Sequence, residues 1–122
     1  MKLKSDPRHQ ARIEAVKKLF EQTFRPQADF KENELAKKVL KKQKAIDQLI
    51  KKNATAWPIE QIAPIDLAIL RLAIWELVFE TKSKPYKVVV DEAVEIAKEY
   101  GNQASASFIN GVLGSIIKSN IK

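Results

Sequence analysis

Apolar residues recur along this chain at spacings of three and four, the mark of helices buried on one side. Ile13, Val16, Phe20 and Phe24 form the first such stripe, and Leu19 widens it. Asp6-Pro7 supplies a start: a side-chain acceptor, then a residue whose fixed φ suits the first helical turn. Arg25-Pro26 marks the end, because proline disfavours a helical residue before it. The pattern predicts a helix from Pro7 to Phe24, with Arg8, Arg12, Lys17 and Lys18 off the stripe.

A polar connection follows, and the helical pattern returns from Lys31 to Asn53. Leu35, Val39, Ile46, Leu49 and Ile50 carry it, broadened by Ala36 and Leu40. Lysines crowd the other face, from Lys37 and Lys38 to Lys51 and Lys52, and read first as a solvated surface. Residues 54–63 read as a linker with one short turn, pinned by Trp57 and Ile62 and punctuated by Pro58 and Pro64.

The stretch from Pro64 to Glu80 is apolar nearly all round, which predicts a buried central helix. Pro85 restarts the chain for a helix to Tyr100, although Val88-Val89-Val90 alone also suits a strand. Gly101 stands where a left-handed C-terminal cap is wanted. A last helix is expected from Ala104 to Lys118, with Phe108, Ile109, Val112, Leu113, Ile116 and Ile117 inward. The expected class is all-α, a bundle of five to six helices in a single domain over residues 1–122.

Charge changes this picture. The net charge is +7, yet residues 1–56 hold 15 Lys/Arg against 7 Asp/Glu while the remainder is nearly balanced. A basic half on a neutral scaffold points to a polyanion, nucleic acid first, with a solvated lysine face as the plain alternative. No apolar run follows the N-terminal Met1–Pro7 segment, so no signal peptide is expected. The longest apolar stretch, Ile69–Phe79, is broken by Arg71 and Glu76, so no membrane span is expected.

The chemistry of catalysis is sparse. There is no cysteine, which removes disulfides, thiolate metal sites and a thiol nucleophile, and suits a reducing cytosol. His9 is the one histidine and reads as a surface residue without a ligand or catalytic partner. No glycine-rich phosphate loop is present. Asp91, Glu92 and Glu95 lack histidine ligands beside them; one of the three is expected to pair with a buried Arg71. These readings predict no enzyme, no cofactor, no metal and no small-molecule substrate.

Three segments of the second half make a pattern. Ile69-Leu70-Arg71-Leu72-Ala73-Ile74-Trp75-Glu76-Leu77 comes first. Pro85-Tyr86-Lys87-Val88 leads next into Asp91-Glu92-Ala93-Val94-Glu95-Ile96-Ala97-Lys98, which ends at Tyr100-Gly101. Phe108-Ile109-Asn110-Gly111-Val112-Leu113 closes the set. Together they resemble the NusB family over residues 46–117, and Arg8, Ala11, Arg12, Ala15, Val16, Leu19 and Phe20 extend the fit to the first helix. Two departures stand out. Arg25–Asn33 takes the place of a helix that relatives carry, and Ala104 stands where the family is often acidic.

The resemblance implies two small helical subdomains packed together, in a cytoplasmic transcription antitermination factor. It implies that the factor pairs with NusE, a ribosomal protein of the small subunit. The pair would bind the boxA element of single-stranded RNA and help RNA polymerase read through terminators, notably in ribosomal RNA operons. The same fold serves as an accessory domain of ribosomal RNA cytosine methyltransferases, and a helical interaction module without RNA binding is a third reading. With no catalytic domain in these residues, the stand-alone factor is the expectation.

Site residues follow from the same resemblance. Arg8 and Arg12 match the arginine-rich start of the first helix, which faces RNA, and Lys17 joins them. Lys2 and Lys4 add charge from an N-terminal arm. Lys87 opposes the dipole at its helix start, so an RNA contact accounts for it better than stability does. Phe108 has two roles open to it, stacking on a base or packing in the core. Asp66 falls on the face used by the ribosomal partner, or simply favours the start of its helix. Asn110 and Gly111 read as structural, the glycine permitting close helix approach.

Overall fold

A computed structural model describes residues 6–27, 32–80 and 84–120, and the described residues contain helices and no strand. Helix α1 runs Pro7–Phe24, α2 Glu34–Lys41, α3 Gln43–Asn53, α4 Pro64–Ile74, α5 Tyr86–Tyr100 and α6 Ser105–Asn120. A single 3₁₀ turn, Ile59–Gln61, precedes α4, and a π-helical turn, Trp75–Phe79, continues it. Lys2 and Lys4 lie outside the described residues. So does most of the loop expected at Arg25–Asn33, whose described flanks are not helical.

The caps are built as the sequence suggests. The Asp6 side chain accepts from the Arg8 backbone N–H at 2.9 Å, and Pro7 opens α1. That N–H bond holds the Asp6 carboxyl below its ordinary pKa. Asn33 accepts from Ala36 N–H to start α2, and Asn102 accepts from Ala104 and Ser105 N–H to start α6.

One continuous core joins all six helices. α4 lies at its centre, buried at every residue from Asp66 to Ile74, as an apolar-all-round helix must be. α1 packs along α4 and α2, and α5 and α6 form an antiparallel pair against α4. The fully buried Leu19, Ile46, Ile50, Leu70, Ile74, Ile96, Ile109 and Leu113 come from both halves of the chain.

Several expectations need correction. The single lysine-rich helix is two. Lys42, at φ −107° and ψ 12°, breaks it, so α2 packs on α1 and α4 while α3 packs on α4 and α6. The residues at the break, Lys41-Lys42, bury nothing, so no packing holds a straight helix there. Gly101 is extended at φ −96°, not left-handed. Its lack of a side chain matters for space: a Cβ would lie 2.8 Å from the Ala97 carbonyl oxygen and closer still to Ser105. Gly111 has open space around it, so it brings no helix closer. Phe20, Phe24 and Trp57 are exposed rather than inward, at 37%, 61% and 55%.

Arg71 is buried as expected, but its partner is Asp47 on α3, reached by Nε and Nη2 at 3.0 Å each. Asp91 and Glu95 are exposed on the far side of α5, and Glu92 is engaged elsewhere. Asp47→Ala is expected to cost about 2 kcal/mol, the range for hydrogen bonds to charged groups. Chemical denaturation checks this, and a change within error would show that solvent replaces Asp47 without loss.

Candidate nucleic-acid interface

α1 and α5 run side by side in the same direction. His9 meets Glu92 near their starts, and Lys17 lies 5.9 Å from the ring centroid of Tyr100 eight residues later on both helices. Their N-termini, with the positive ends of both dipoles, therefore open on one end of the molecule.

A buried ionic knot fixes that end. Arg12 of α1 is only 5% exposed and grips Glu76 of the π-helical turn in a fork, Nε to Oε2 at 2.9 Å and Nη2 to Oε1 at 2.8 Å. Its Nη1 reaches Glu92 of α5 at 3.2 Å. The His9 ring places Nδ1 at 2.9 Å from Glu92 Oε1, a geometry in which Nδ1–H donates. Lys84 closes the knot from outside, 3.3 Å from Glu76 and 3.5 Å from Glu80. Burial disfavours the charge on Arg12, but Glu76 and Glu92 outweigh it and raise the guanidinium pKa. The π-helical turn has a structural part in this, because its wider winding turns Glu76 inward while Leu77, Val78 and Phe79 stay half-buried.

The expected surface roles divide accordingly. Arg8 projects outward, its side chain 83% exposed, at the rim of a cleft of about 260 Å³ that Lys84 and Pro85 also line. Lys87 is exposed in the first turn of α5. Arg12 is not a free surface cation: both carboxylates of the knot hold it inside. His9, expected at the surface, is 5% exposed for the same reason. Lys17 is exposed but stands nine residues from Arg8 along α1, roughly 14 Å at helical rise.

Phe108 and Asp66 come together at a second place. Both line a pocket of about 200 Å³ with Trp57, Gln61 and Asn102, near the C-terminal end of α5. Phe108 packs one side on the core and leaves the rest at the pocket, so the two roles open to it are not exclusive. Asp66 is 7% exposed, too enclosed for an open docking face. Sequence reasoning passed over Glu76, Glu92, Lys84 and Asn102 as site residues. Glu76 carried a readable signal: like Arg71, it is a charge inside an apolar helix and needs a counter-charge.

Among the described residues, no group of three His, Asp or Glu side chains is placed to hold a metal ion. No described helix is long and apolar enough to cross a membrane. The fold and the site define a small all-α module whose cationic end is braced by a buried ionic knot. The NusB family model matches residues 5–118, and the chain belongs to the NusB family.

Its relatives include a transcription antitermination protein NusB of Dehalococcoides mccartyi, 47% identical over 85 residues, 70% of this chain and 59% of that one. The NusB of Acetivibrio thermocellus is 43% identical over 98 residues, 75% of this chain and 67% of that protein. The match thus spans about six tenths of the length of some of these relatives. The solved structure of T. maritima NusB superposes with a TM-score of 0.87 at 31% identity, covering 96% of this chain and 94% of that one.

Proposed function

We propose that this protein is a transcription antitermination factor that binds boxA-type single-stranded RNA together with the ribosomal protein NusE. In this reading the pair promotes read-through by RNA polymerase, notably in ribosomal RNA operons. The observation that carries the RNA part is the cationic end, where exposed Arg8 and Lys87 stand at the joined N-termini of α1 and α5 on a rigid base. Phosphate oxygens favour such a surface through both the side chains and the helix dipoles.

The roles follow from burial. Arg8 and Lys87 touch phosphate, and Lys84 and Lys17 extend the cationic track. Arg12 is a positioning residue that holds α1 against α5. Phe108 stacks on a base at the second pocket. The exposed Phe20–Phe24 pair, with ring centroids 5.1 Å apart, is apolar surface suited to a protein partner.

The test is a set of titrations with boxA-like single strands, a scrambled strand and duplex DNA, each with and without NusE. The chain alone is expected to bind RNA weakly and with modest preference. NusE is expected to tighten binding and sharpen the preference for boxA. Absence of RNA binding even with NusE present would overturn the reading.

A further inference from the structure

The pocket beside α4 holds a group that RNA stacking on Phe108 leaves unexplained. Asp66 Oδ1 is shut off from solvent and has no hydrogen-bond partner. A buried acceptor without a donor is costly and uncommon in folded proteins. Its place in the first turn of α4 suits a negative charge, but a dipole supplies no donor to that oxygen. The neighbours supply none either. Ala63, which caps α4, has no side-chain donor, and Asn102 has its Oδ1 committed to the start of α6.

The rest of the pocket describes the missing partner. Trp57 is 55% exposed and Phe108 half-buried, so two aromatic side chains border a space of about 200 Å³. That is below the roughly 300 Å³ at which sites for drug-sized ligands begin, and suits one flat ring system. A planar ring with N–H donors on its edge satisfies both the aromatic walls and the orphaned oxygen. Nucleobases of a single strand have that shape, with the Watson–Crick edge free.

We propose that this pocket receives one base of the bound RNA and that Asp66 selects guanine by accepting its N1–H and N2–H donors. The proposal rests on the RNA-binding reading above. Among the four bases, guanine alone offers two adjacent N–H donors to the two oxygens of a carboxylate. Adenine and cytosine place a ring acceptor beside their one amine, which would face the second oxygen. Uracil flanks its single N–H with two carbonyl oxygens. The Asn102 NH2 remains as a donor at the same pocket.

Fluorescence anisotropy with the full chain tests this on oligouridine strands carrying guanosine, inosine, adenosine or uridine at one central position. Inosine lacks only the 2-amino group. The guanosine strand is expected to bind about tenfold more tightly than the uridine strand, with inosine between them. Asp66→Asn should remove the guanosine preference and leave the salt dependence unchanged. Trp57→Ala, at an exposed position, should weaken all four strands together, because stacking tolerates any base. The inosine comparison changes only the RNA, so it decides the question even if Asp66→Asn fails to fold.

Equal affinity for all four strands would overturn base selection and leave RNA binding standing. No binding of any strand would overturn both readings. Guanosine preference that survives in folded Asp66→Asn, with NusE affinity lost instead, would assign the carboxylate to the protein partner and overturn the proposal. Guanosine 5′-monophosphate competing as well as the strand would assign the pocket to a free nucleotide and overturn its RNA part.

Discussion

Arg12→Ala is expected to melt roughly 10–20 °C below the parent chain. The guanidinium is the one cation inside the knot that contacts both Glu76 and Glu92, whose side chains are 3% and 1% exposed. Removing it leaves two buried carboxylates facing each other across a gap. Breaking a buried pair from one side typically costs about 3–5 kcal/mol, because the remaining charge has neither water nor partner. Here His9 and Lys84 stay in place, which holds the loss within that range rather than above it.

Arg12→Lys should recover part of the loss: it keeps the charge but not the two-pronged grip on Glu76. The linkage sign is set by the raised pKa of Arg12. Its contribution is fully present below the ordinary guanidinium range and declines only above it, so no Arg12 titration is expected near neutrality. Calorimetry of the three proteins decides the matter, and a shift of only a degree or two for Arg12→Ala would mean that the knot opens to solvent.

The fold was legible because each helix buries its own stripe. Ile13, Val16 and Leu19, or Ile109, Leu113 and Ile116, need only their spacing to be recognised. The break at Lys42 was hidden by the same rule. Val39 and Ile46 lie seven residues apart, a spacing that one straight helix satisfies as well as two bent ones. Which helix each piece packs on is tertiary information. The exposed rings of Phe20 and Phe24 show the converse, since a stripe can run past the end of its partner.

The site was less legible, because its pairs lie far apart in sequence. Arg12 and Glu76 are 64 positions apart, and His9 and Glu92 are 83. Arg8 and Arg12 look alike along α1, four residues apart and both off the apolar stripe. Only the position of the π-helical turn decides that one points to solvent and the other to Glu76. The pairing of Arg71 failed for a related reason. Carboxylates were available in the sequence on both sides of α4, and charge alone does not say which helix is nearer.

The difference between Arg8 and Arg12 gives the second large effect. Under the proposed function, Arg8, Lys17, Lys84 and Lys87 neutralise about four phosphates, so log K against log salt should have a slope near −3 on a single strand. Arg8→Ala combined with Lys87→Ala removes two of these contacts. The slope should flatten by about 1.4, and affinity at 0.15 M salt should fall roughly tenfold. Neither residue supports the core: the Arg8 side chain is 83% exposed and Lys87 is exposed at the start of α5. The melting temperature of the double variant should therefore stay within about a degree of the parent, in the range of substitutions away from buried features. Base preference should also survive, because phosphate contacts carry no sequence information. Arg12→Lys should behave in the opposite way, lowering stability while keeping the parent slope in the fraction that remains folded. Titrations at four or five salt concentrations separate the two patterns. A double variant with the parent slope would place the RNA elsewhere on the surface, and an altered slope for folded Arg12→Lys would mean that Arg12 leaves the knot to meet phosphate.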